Sequence, residues 1–307
     1  MSALPQLDGG TFITDGGMET TLIFEHGFEL PEFASFPLLD NPAGREALRE
    51  YYLPYIEVAR RRGVGIVLDA PTWRASRSWG EKLGYSEDAL VDVNRRGVAL
   101  VEELKAAAAG DPEIVVSGCV GPRGDAYRVD AVMTADEAGE YHAAQVETLA
   151  ETGVALVSAL TLTYVDEAIG IVRASQRAGV PVVASFTVET DGRLPSGQSL
   201  GDAIGQVDGE TDGAAAYFMV NCAHTSHFSG VLQPAPWLER LRGLRANASS
   251  KSHAELGESD ELDPGDPAEL AADYGELRER IPSLTVFGGC CGTDHSHIDA
   301  ICAAVTR

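Results

Sequence analysis

The sequence predicts one (β/α)8 barrel domain, a TIM barrel, spanning residues 1–307, and three observations support it. Short β-rich runs alternate with longer amphipathic stretches from one end of the chain to the other. Eight such units share 307 residues, about 38 residues each, which suits this barrel. Residue types common in functional sites follow several of the predicted strands, as at the carboxyl rim of a barrel. A doubly wound parallel sheet has the same alternation and is the alternative.

The predicted elements follow the change in spacing of the apolar residues. Strands are predicted at 11–14, 65–68, 114–117, 155–157, 180–186, 216–220, 242–246 and 284–287. Helices are predicted at 43–62, 88–109, 134–152, 165–178, 267–280 and 295–305. In the first helix, Leu48, Tyr52 and Ile56 recur at intervals of four, which places them on one face. The sixth and seventh units carry the weakest pattern.

The composition excludes several kinds of partner. The formal net charge is −24, from 47 acidic and 23 basic residues. A surface of this charge repels phosphate backbones and anionic lipids, so neither nucleic acid nor membrane is expected as a partner. Its simplest role is to keep the protein in solution. Small-molecule substrates fit better, and a homo-oligomeric state is left open.

Cysteine usage and the first residues indicate a cytoplasmic location. The five cysteines are unevenly spaced, unlike the framework of a secreted disulfide-rich domain. Residues 1–10 lack the basic and then apolar pattern of a secretory signal, and no apolar run is long enough for a membrane span. We therefore expect an enzyme of the cytoplasm whose thiols are reduced.

The most informative motif is the pair of adjacent cysteines Cys290 and Cys291, with glycines on both sides in GGCCGT at 288–293. Adjacent cysteines rarely bond to each other, because the small ring is strained. The flanking glycines allow both sulfur atoms to turn toward one metal ion. Cys222 follows another predicted strand and is the candidate third ligand. Three protein ligands with an open fourth position are typical of catalytic zinc.

Four segments of the sequence resemble the homocysteine S-methyltransferase family, and the resemblance extends over nearly the whole chain. They are Asp15-Gly16-Gly17, Gly121-Pro122, Asn221-Cys222 and the 288–293 motif, of which the last is the most specific. The resemblance implies a barrel in which Cys222, Cys290 and Cys291 bind Zn2+. It also implies that a thiol acceptor takes the fourth position and that homocysteine is converted to methionine.

The chemistry of such a site explains its residue types. A free thiol with a pKa of about 8.5 is mostly protonated at neutral pH, whereas coordination to zinc removes the proton. Three thiolates leave electron density on the substrate sulfur for attack on an onium methyl group. The sequence has no Gly-x-Gly-x-x-Gly after a strand, so no separate nucleotide-binding domain is indicated. The resemblance to single-domain members implies S-methylmethionine, S-adenosylmethionine or a betaine as donor.

The predicted substrate-binding residues lie in segments that follow the strands. They are Asp15, Gly16, Gly17, Glu19, Thr72, Trp73, Thr161 and Asn221. The family resemblance implies that Asp15 binds the amino group of the acceptor, and capping a turn is its alternative role. Trp73, Tyr127 and Phe186 could present aromatic rings to a cationic methyl group, or could simply pack.

One position departs from the family pattern. The family usually has a Glu-Thr pair at the end of the fourth strand, and its carboxylate helps to bind the substrate amino group. Here the pair reads Leu160-Thr161. Two explanations stay open: Glu19 supplies the missing negative charge, or the acceptor is another thiol or a selenol.

The remaining polar residues are assigned simpler roles. His224 and His227 are interpreted as loop residues, Cys119 and Cys302 as small buried side chains, and Asp294 as the cap of the last helix. The acidic segment 247–266 is predicted to be a long loop, a lid or a subunit contact. A metal-binding or thiol-sensing barrel without turnover is the alternative from another class, and a fourth ligand such as His224 would favour it.

Overall fold

The structure is a computed structural model that describes residues 4–130, 132–259 and 261–306. Within these residues, parallel strands close into a barrel in the order β1 to β8, and β8 pairs with β1. The strands are Phe12–Ile13 (β1), Gly65–Asp69 (β2), Ile114–Val120 (β3), Leu156–Leu162 (β4), Val182–Phe186 (β5), Tyr217–Asn221 (β6), Leu241–Ala246 (β7) and Val286–Gly289 (β8). The predicted TIM barrel is confirmed, and the doubly wound alternative is wrong.

Helices surround the barrel. They are Met18–Phe24 (α1), Pro42–Arg62 (α2), Arg77–Lys82 (α3), Glu87–Ala107 (α4), Ala135–Glu151 (α5), Val165–Ala178 (α6), Leu200–Glu210 (α7), Thr225–Phe228 (α8), His253–Gly257 (α9), Pro267–Arg280 (α10) and His295–Val305 (α11). Short 3-10 turns occur at Pro5–Leu7, Pro31–Phe33, Phe36–Asp40 and Pro236–Arg240. No helix among the described residues is long and apolar enough to cross a membrane.

Local sequence signals explain the helix ends. The side chain of Asn41 accepts a hydrogen bond from Gly44 N at the start of α2, and Gly63 ends α2 in the left-handed conformation. Asp294 caps α11 by accepting bonds from Ser296 N and His297 N, as predicted. These caps satisfy backbone groups that have no partner within their helices.

The strands separate two apolar layers. On β2, Ile66 and Leu68 belong to the large cluster between sheet and helices, whereas Val67 belongs to the cluster inside the barrel. The alternation follows from the two-residue period of a strand. Leu160 on β4 also lies in the inner cluster, so it points toward the barrel axis.

Two strands are longer than the sequence pattern indicates. β3 continues to Val120 and β4 continues to Leu162, beyond the predicted ends at 117 and 157. Polar and small residues in these extensions interrupt the apolar pattern from which the strand ends were predicted. The register of β4 against β5 shifts between Ala159 and Leu162, which marks an irregularity at the position of the family Glu-Thr pair.

Candidate active site

Three cysteine sulfur atoms meet at the carboxyl end of the barrel. Cys222 directly follows β6, and Cys290 and Cys291 directly follow β8. Their Sγ atoms all lie within 4.8 Å of one another, although residues 222 and 290 are 68 positions apart. The closed barrel therefore brings the three predicted ligands together.

The oxidation state differs from the expectation of reduced thiols. Cys222 and Cys290 are joined by a disulfide bond, while Cys291, Cys119 and Cys302 are free. Sulfur atoms close enough to share one ion are also close enough to bond to each other when they are oxidised. The adjacent pair is not bonded to itself, as the sequence indicated.

The donor set fits a borderline metal such as zinc once the disulfide is reduced. Tetrahedral zinc with Zn–S bonds of about 2.3 Å spaces its sulfur ligands roughly 3.8 Å apart. Cys222 Sγ lies 3.9 Å from Cys291 Sγ, which is close to that spacing. Burial raises the pKa of the Cys291 thiol to about 11, so without a bound cation this thiol is protonated at neutral pH.

The backbone at two strand ends is held in an unusual conformation. Thr161 has φ 63° and Cys222 has φ 55°, in the left-handed region that non-glycine residues rarely adopt. The amide of Asn221 accepts from Thr161 N at 2.9 Å and donates to Thr161 Oγ1 at 2.7 Å. Ser185 Oγ also donates to Asn221 Oδ1 at 2.6 Å. Asn221 thus ties β4 to β6 beside Cys222.

The Asp-Gly-Gly segment packs directly on the cysteine motif. A Cβ atom on Gly17 would lie 2.6 Å from the carbonyl oxygen of Cys290, and one on Gly16 would collide with the carbonyl oxygen of Thr293. Gly17 N also donates to that Thr293 oxygen at 2.9 Å. These glycines are required because two backbones approach closely.

A buried charge cluster lies in the same cavity, and the sequence reasoning missed two of its three members. Arg245 on β7 donates to both Asp15, after β1, and Asp69, at the end of β2. Tyr51 Oη donates to the second oxygen of Asp15 at 3.0 Å. Arg245 is itself a signal in the sequence, because a charged residue in an otherwise apolar barrel strand requires buried partners.

The charges in this cluster shift one another's pKa values. Burial raises the pKa of Asp15 to about 6, and Asp69 adds to the increase while Arg245 opposes it. Burial alone would lower the pKa of Arg245, but the carboxylates of Asp15 and Asp69 outweigh it and raise the value. Arg245 is therefore permanently charged.

Glu19 and Arg74 contribute further charge at the cavity wall. Ser35 Oγ donates to Glu19 Oε1 at 2.8 Å, and burial raises the pKa of the Glu19 carboxyl. The Arg74 guanidinium lies 3.6 Å from the ring centre of Trp79 and 4.6 Å from that of Trp73. Sequence reasoning missed Arg74, whose position depends on stacking between elements.

The cavity has a volume of about 450 Å³. Most of the predicted site residues line it: Asp15, Gly16, Gly17, Glu19, Trp73, Thr161, Asn221 and the three cysteines. Tyr127 and Leu160 line it too. A cavity of this size accommodates small ligands.

Two predicted residues lie outside the cavity lining. Thr72 is fully buried, and its hydroxyl donates to Cys119 O and accepts from Cys119 N, so it ties β3 to the loop after β2. Phe186 is also fully buried and stacks against Phe218 in the core between sheet and helices. Both were placed near strand ends, but their side chains point away from the rim.

The predicted loop 247–266 covers part of the cavity. It contains α9, and its residues Leu256, Gly257, Ser259 and Leu262 line the cavity. His253 at the start of α9 contacts the carbonyl oxygen of Cys222 at 2.8 Å and stacks on Tyr127 with ring centres 4.1 Å apart. The segment is therefore fastened to the cysteine cluster.

Tyr127 also contacts the cysteine cluster directly. Its hydroxyl lies 3.5 Å from Cys291 Sγ and donates to it. Burial raises the pKa of Tyr127 well above its usual value, so the phenol keeps its proton. A donor at this position stabilises negative charge on the sulfur.

The two histidines near Cys222 are not part of the sulfur cluster. His224 Nδ1 bonds to Ser226, and His227 Nε2 contacts Ser250 O at 2.9 Å. Among the described residues, no histidine or carboxylate joins the three cysteines as a candidate ligand. Cys119 and Cys302 are buried, as expected, although Cys119 also contacts the base of the cavity.

The fold and the site together define a TIM barrel with a three-sulfur site at its carboxyl rim. A family model described as homocysteine S-methyltransferase matches residues 12–305. The chain therefore belongs to the homocysteine S-methyltransferase family, a family of methyltransferases, as the sequence motifs predicted.

Two curated relatives are methionine synthases of mycobacteria. The protein from Mycobacterium leprae (strain TN) is 31% identical over 153 residues, and that from Mycobacterium tuberculosis (strain ATCC 25618 / H37Rv) is 33% identical over 153 residues. The aligned segment covers 45% of this chain but only 11% of each relative. The chain thus matches about a tenth of the length of these relatives.

Solved structures of the homocysteine methyltransferase MmuM from Escherichia coli have the same fold. The oxidised form aligns with a TM-score of 0.75 at 21% identity and covers 98% of both chains. The metallated form aligns with a TM-score of 0.73 at 21% identity and covers 96% of both chains. At this identity the likeness establishes the architecture alone.

Proposed function

We propose that this chain is a zinc-dependent S-methyltransferase that moves a methyl group from a small onium donor to homocysteine and so forms methionine. The observation that carries the proposal is the meeting of Cys222, Cys290 and Cys291 at the rim of a family barrel. S-methylmethionine, S-adenosylmethionine and a betaine are the candidate donors. The names of the mycobacterial methionine synthases and of MmuM support this reaction class.

The three cysteines would hold the zinc ion in their reduced form. Zinc supplies one function when bound, which is to keep the thiol of the acceptor deprotonated at neutral pH. The chain's own residues then orient the acceptor sulfur toward the donor methyl group. Because no described histidine or carboxylate joins the sulfur cluster, a fourth position is left for the substrate.

Several cavity residues suit a cationic donor. The rings of Trp73 and Tyr127 line the cavity and can face a sulfonium or quaternary ammonium group. Arg74 beside Trp73 can pair with the carboxylate that S-methylmethionine and betaines both carry. The covering segment 247–266 would keep water away from the reacting sulfur.

A second candidate is methylation of another thiol or selenol. The observation that favours it is Leu160, which lines the cavity where the family usually has a glutamate. An acceptor without an amino group would not need that carboxylate. The non-catalytic barrel is less well supported, because His224 bonds to Ser226 and does not close the sulfur site.

One assay tests the leading proposal. The chain is reduced, loaded with zinc and supplied with homocysteine and each donor in turn, while methionine and bound zinc are measured. We expect about one zinc per chain and methionine formation with one of the donors. Bound zinc with turnover of other thiols only would favour the second candidate, and bound zinc without any turnover would favour the non-catalytic barrel.

A further inference from the structure

Asp69 is a buried carboxylate that lines the cavity, and one of its oxygen atoms has no hydrogen-bond partner in the described part of the chain. Resting on the proposed function, we propose that this oxygen binds the ammonium group of the acceptor, in place of the family glutamate that Leu160 replaces. Negative charge for the amino group would then come from β2 rather than from β4. The acceptor class is accordingly a small thiol with a primary ammonium group.

The hydrogen bonds within the charge cluster single out Asp69. Asp15 uses one oxygen for Arg245 and the other for the hydroxyl of Tyr51. Asp69 uses Oδ2 for Arg245, whereas Oδ1 has no hydrogen-bond partner among the described residues. Asp69 is only 5% exposed, so bulk water does not readily satisfy this atom. A buried carboxylate oxygen without a donor is costly, and a ligand that donates there gains accordingly.

The charge balance points to a cationic ligand. Arg245 neutralises one of the two carboxylates, which leaves one net negative charge in the cluster when both are ionised. An ammonium group brings the compensating charge and up to three N–H donors. A neutral or anionic group at this place would leave the net charge buried.

The alternatives on the other walls are less suitable. Leu160 offers an aliphatic side chain, and its carbonyl oxygen already accepts from Trp73 Nε1 at 3.3 Å. Glu19, which the sequence suggested as the replacement, accepts from Ser35 Oγ at 2.8 Å. Arg74 also places positive charge near Glu19. Among the described carboxylates that line the cavity, Asp69 is the one with a fully buried oxygen that lacks a hydrogen-bond partner.

The test compares homocysteine with 4-mercaptobutanoate, which has the same thiol, chain and carboxylate but no amino group. Both are assayed with the reduced, zinc-loaded chain at one saturating donor concentration. The variant Asp69→Asn should lower kcat/KM for homocysteine roughly 10- to 100-fold, because one charge-assisted contact is lost. Most of this decrease should come from a higher KM. For 4-mercaptobutanoate the change should stay within about threefold, since that acceptor makes no such contact.

A rescue experiment separates a direct contact from general damage. Leu160→Glu in the Asp69→Asn background returns a carboxylate to the family position and should restore at least part of the preference for homocysteine. Zinc content and melting temperature are measured for each variant. If Asp69→Asn does not fold, Asp69→Ser, which keeps a polar group for Arg245, replaces it in the comparison.

Specific outcomes would overturn the inference. Equal losses for both acceptors in Asp69→Asn, or a loss confined to Glu19→Gln, would remove Asp69 from the ammonium site. So would a rise in the KM of S-methylmethionine with no change for homocysteine, because the ammonium bound there would be the donor's.

Binding measurements keep this inference distinct from the proposed function. If the wild-type chain shows no turnover, the proposed function fails. The inference is then tested by calorimetric titration of homocysteine and 4-mercaptobutanoate into the zinc-loaded wild type and Asp69→Asn. Tighter binding of homocysteine that disappears in Asp69→Asn supports the ammonium site, and equal binding of the two thiols contradicts it.

Discussion

The cavity has two walls, and only one of them can be recognised from sequence motifs. The sulfur wall consists of Cys222, Cys290 and Cys291, which stand in short motifs with flanking glycines or Asn221. The charged wall consists of Asp15, Asp69 and Arg245, one residue each from the ends of β1, β2 and β7. A reactive centre needs particular residue types at close spacing, whereas charge compensation only needs opposite charges that meet in space. The difference separates the wall that we propose holds the metal from the wall that we propose selects the acceptor.

The sulfur wall should show the largest effect on substitution. Cys290→Ala removes one of the three proposed sulfur ligands, and we expect bound zinc and methyl transfer to fall to background. Cys302→Ala is the matched control, because Cys302 lies on the buried face of α11 and is not among the described residues that line the cavity. Metal analysis and a methionine assay on both variants test the expectation. Full activity in Cys290→Ala would contradict the proposed site.

The same contrast explains what could be predicted from the sequence. The barrel followed from the alternation of elements, and the sulfur wall followed from the 288–293 motif and Cys222. The contact of Arg245 with Asp69 joins residues 176 positions apart, and the spacing of residues in the sequence does not indicate it. Thr72 was misplaced, and of the two roles left open for Phe186 the structure shows packing, because nearness to a strand end does not fix the direction of a side chain.

The backbone beside the sulfur wall should show the next largest effect. Asn221→Ala removes the amide that holds Thr161 in its left-handed conformation next to Cys222. We expect kcat/KM to fall roughly 10- to 100-fold, as for residues that orient metal ligands. Ser185→Ala removes only one bond to the same amide and should cost less. Equal activity of wild type and Asn221→Ala would show that this bridge is dispensable.

The charged wall should respond to pH. The pKa of Asp15 is raised to about 6, so Asp15 is ionised at neutral pH and gains a proton as the pH falls through 6. Protonation leaves Arg245 and Asp69 as a neutral pair, with Tyr51 and Glu19 as the other titratable groups beside Asp15. The ratio of kcat/KM for homocysteine to that for 4-mercaptobutanoate should therefore decrease below about pH 6.

Taking the ratio removes effects shared by both acceptors, such as protonation of thiolates at the sulfur wall. The measurement is a pair of pH–rate profiles between pH 5 and 8. A ratio that is constant over this range would indicate that Asp15 does not contribute to acceptor selection.

The smallest expected effect lies where the covering segment meets the sulfur wall. Tyr127→Phe removes the hydroxyl that donates to Cys291 Sγ and keeps the ring that stacks on His253. The loss of one hydrogen bond should weaken zinc binding about 2- to 10-fold in competition with a chelator. His253→Ala is the complementary variant, because it removes the stacking partner together with the contact to Cys222 O and leaves the Tyr127 hydroxyl. If Tyr127 acts through its hydroxyl, Tyr127→Phe weakens zinc binding and His253→Ala does not. If Tyr127 instead acts by fastening the segment 247–266, His253→Ala weakens homocysteine binding while the zinc affinity is kept.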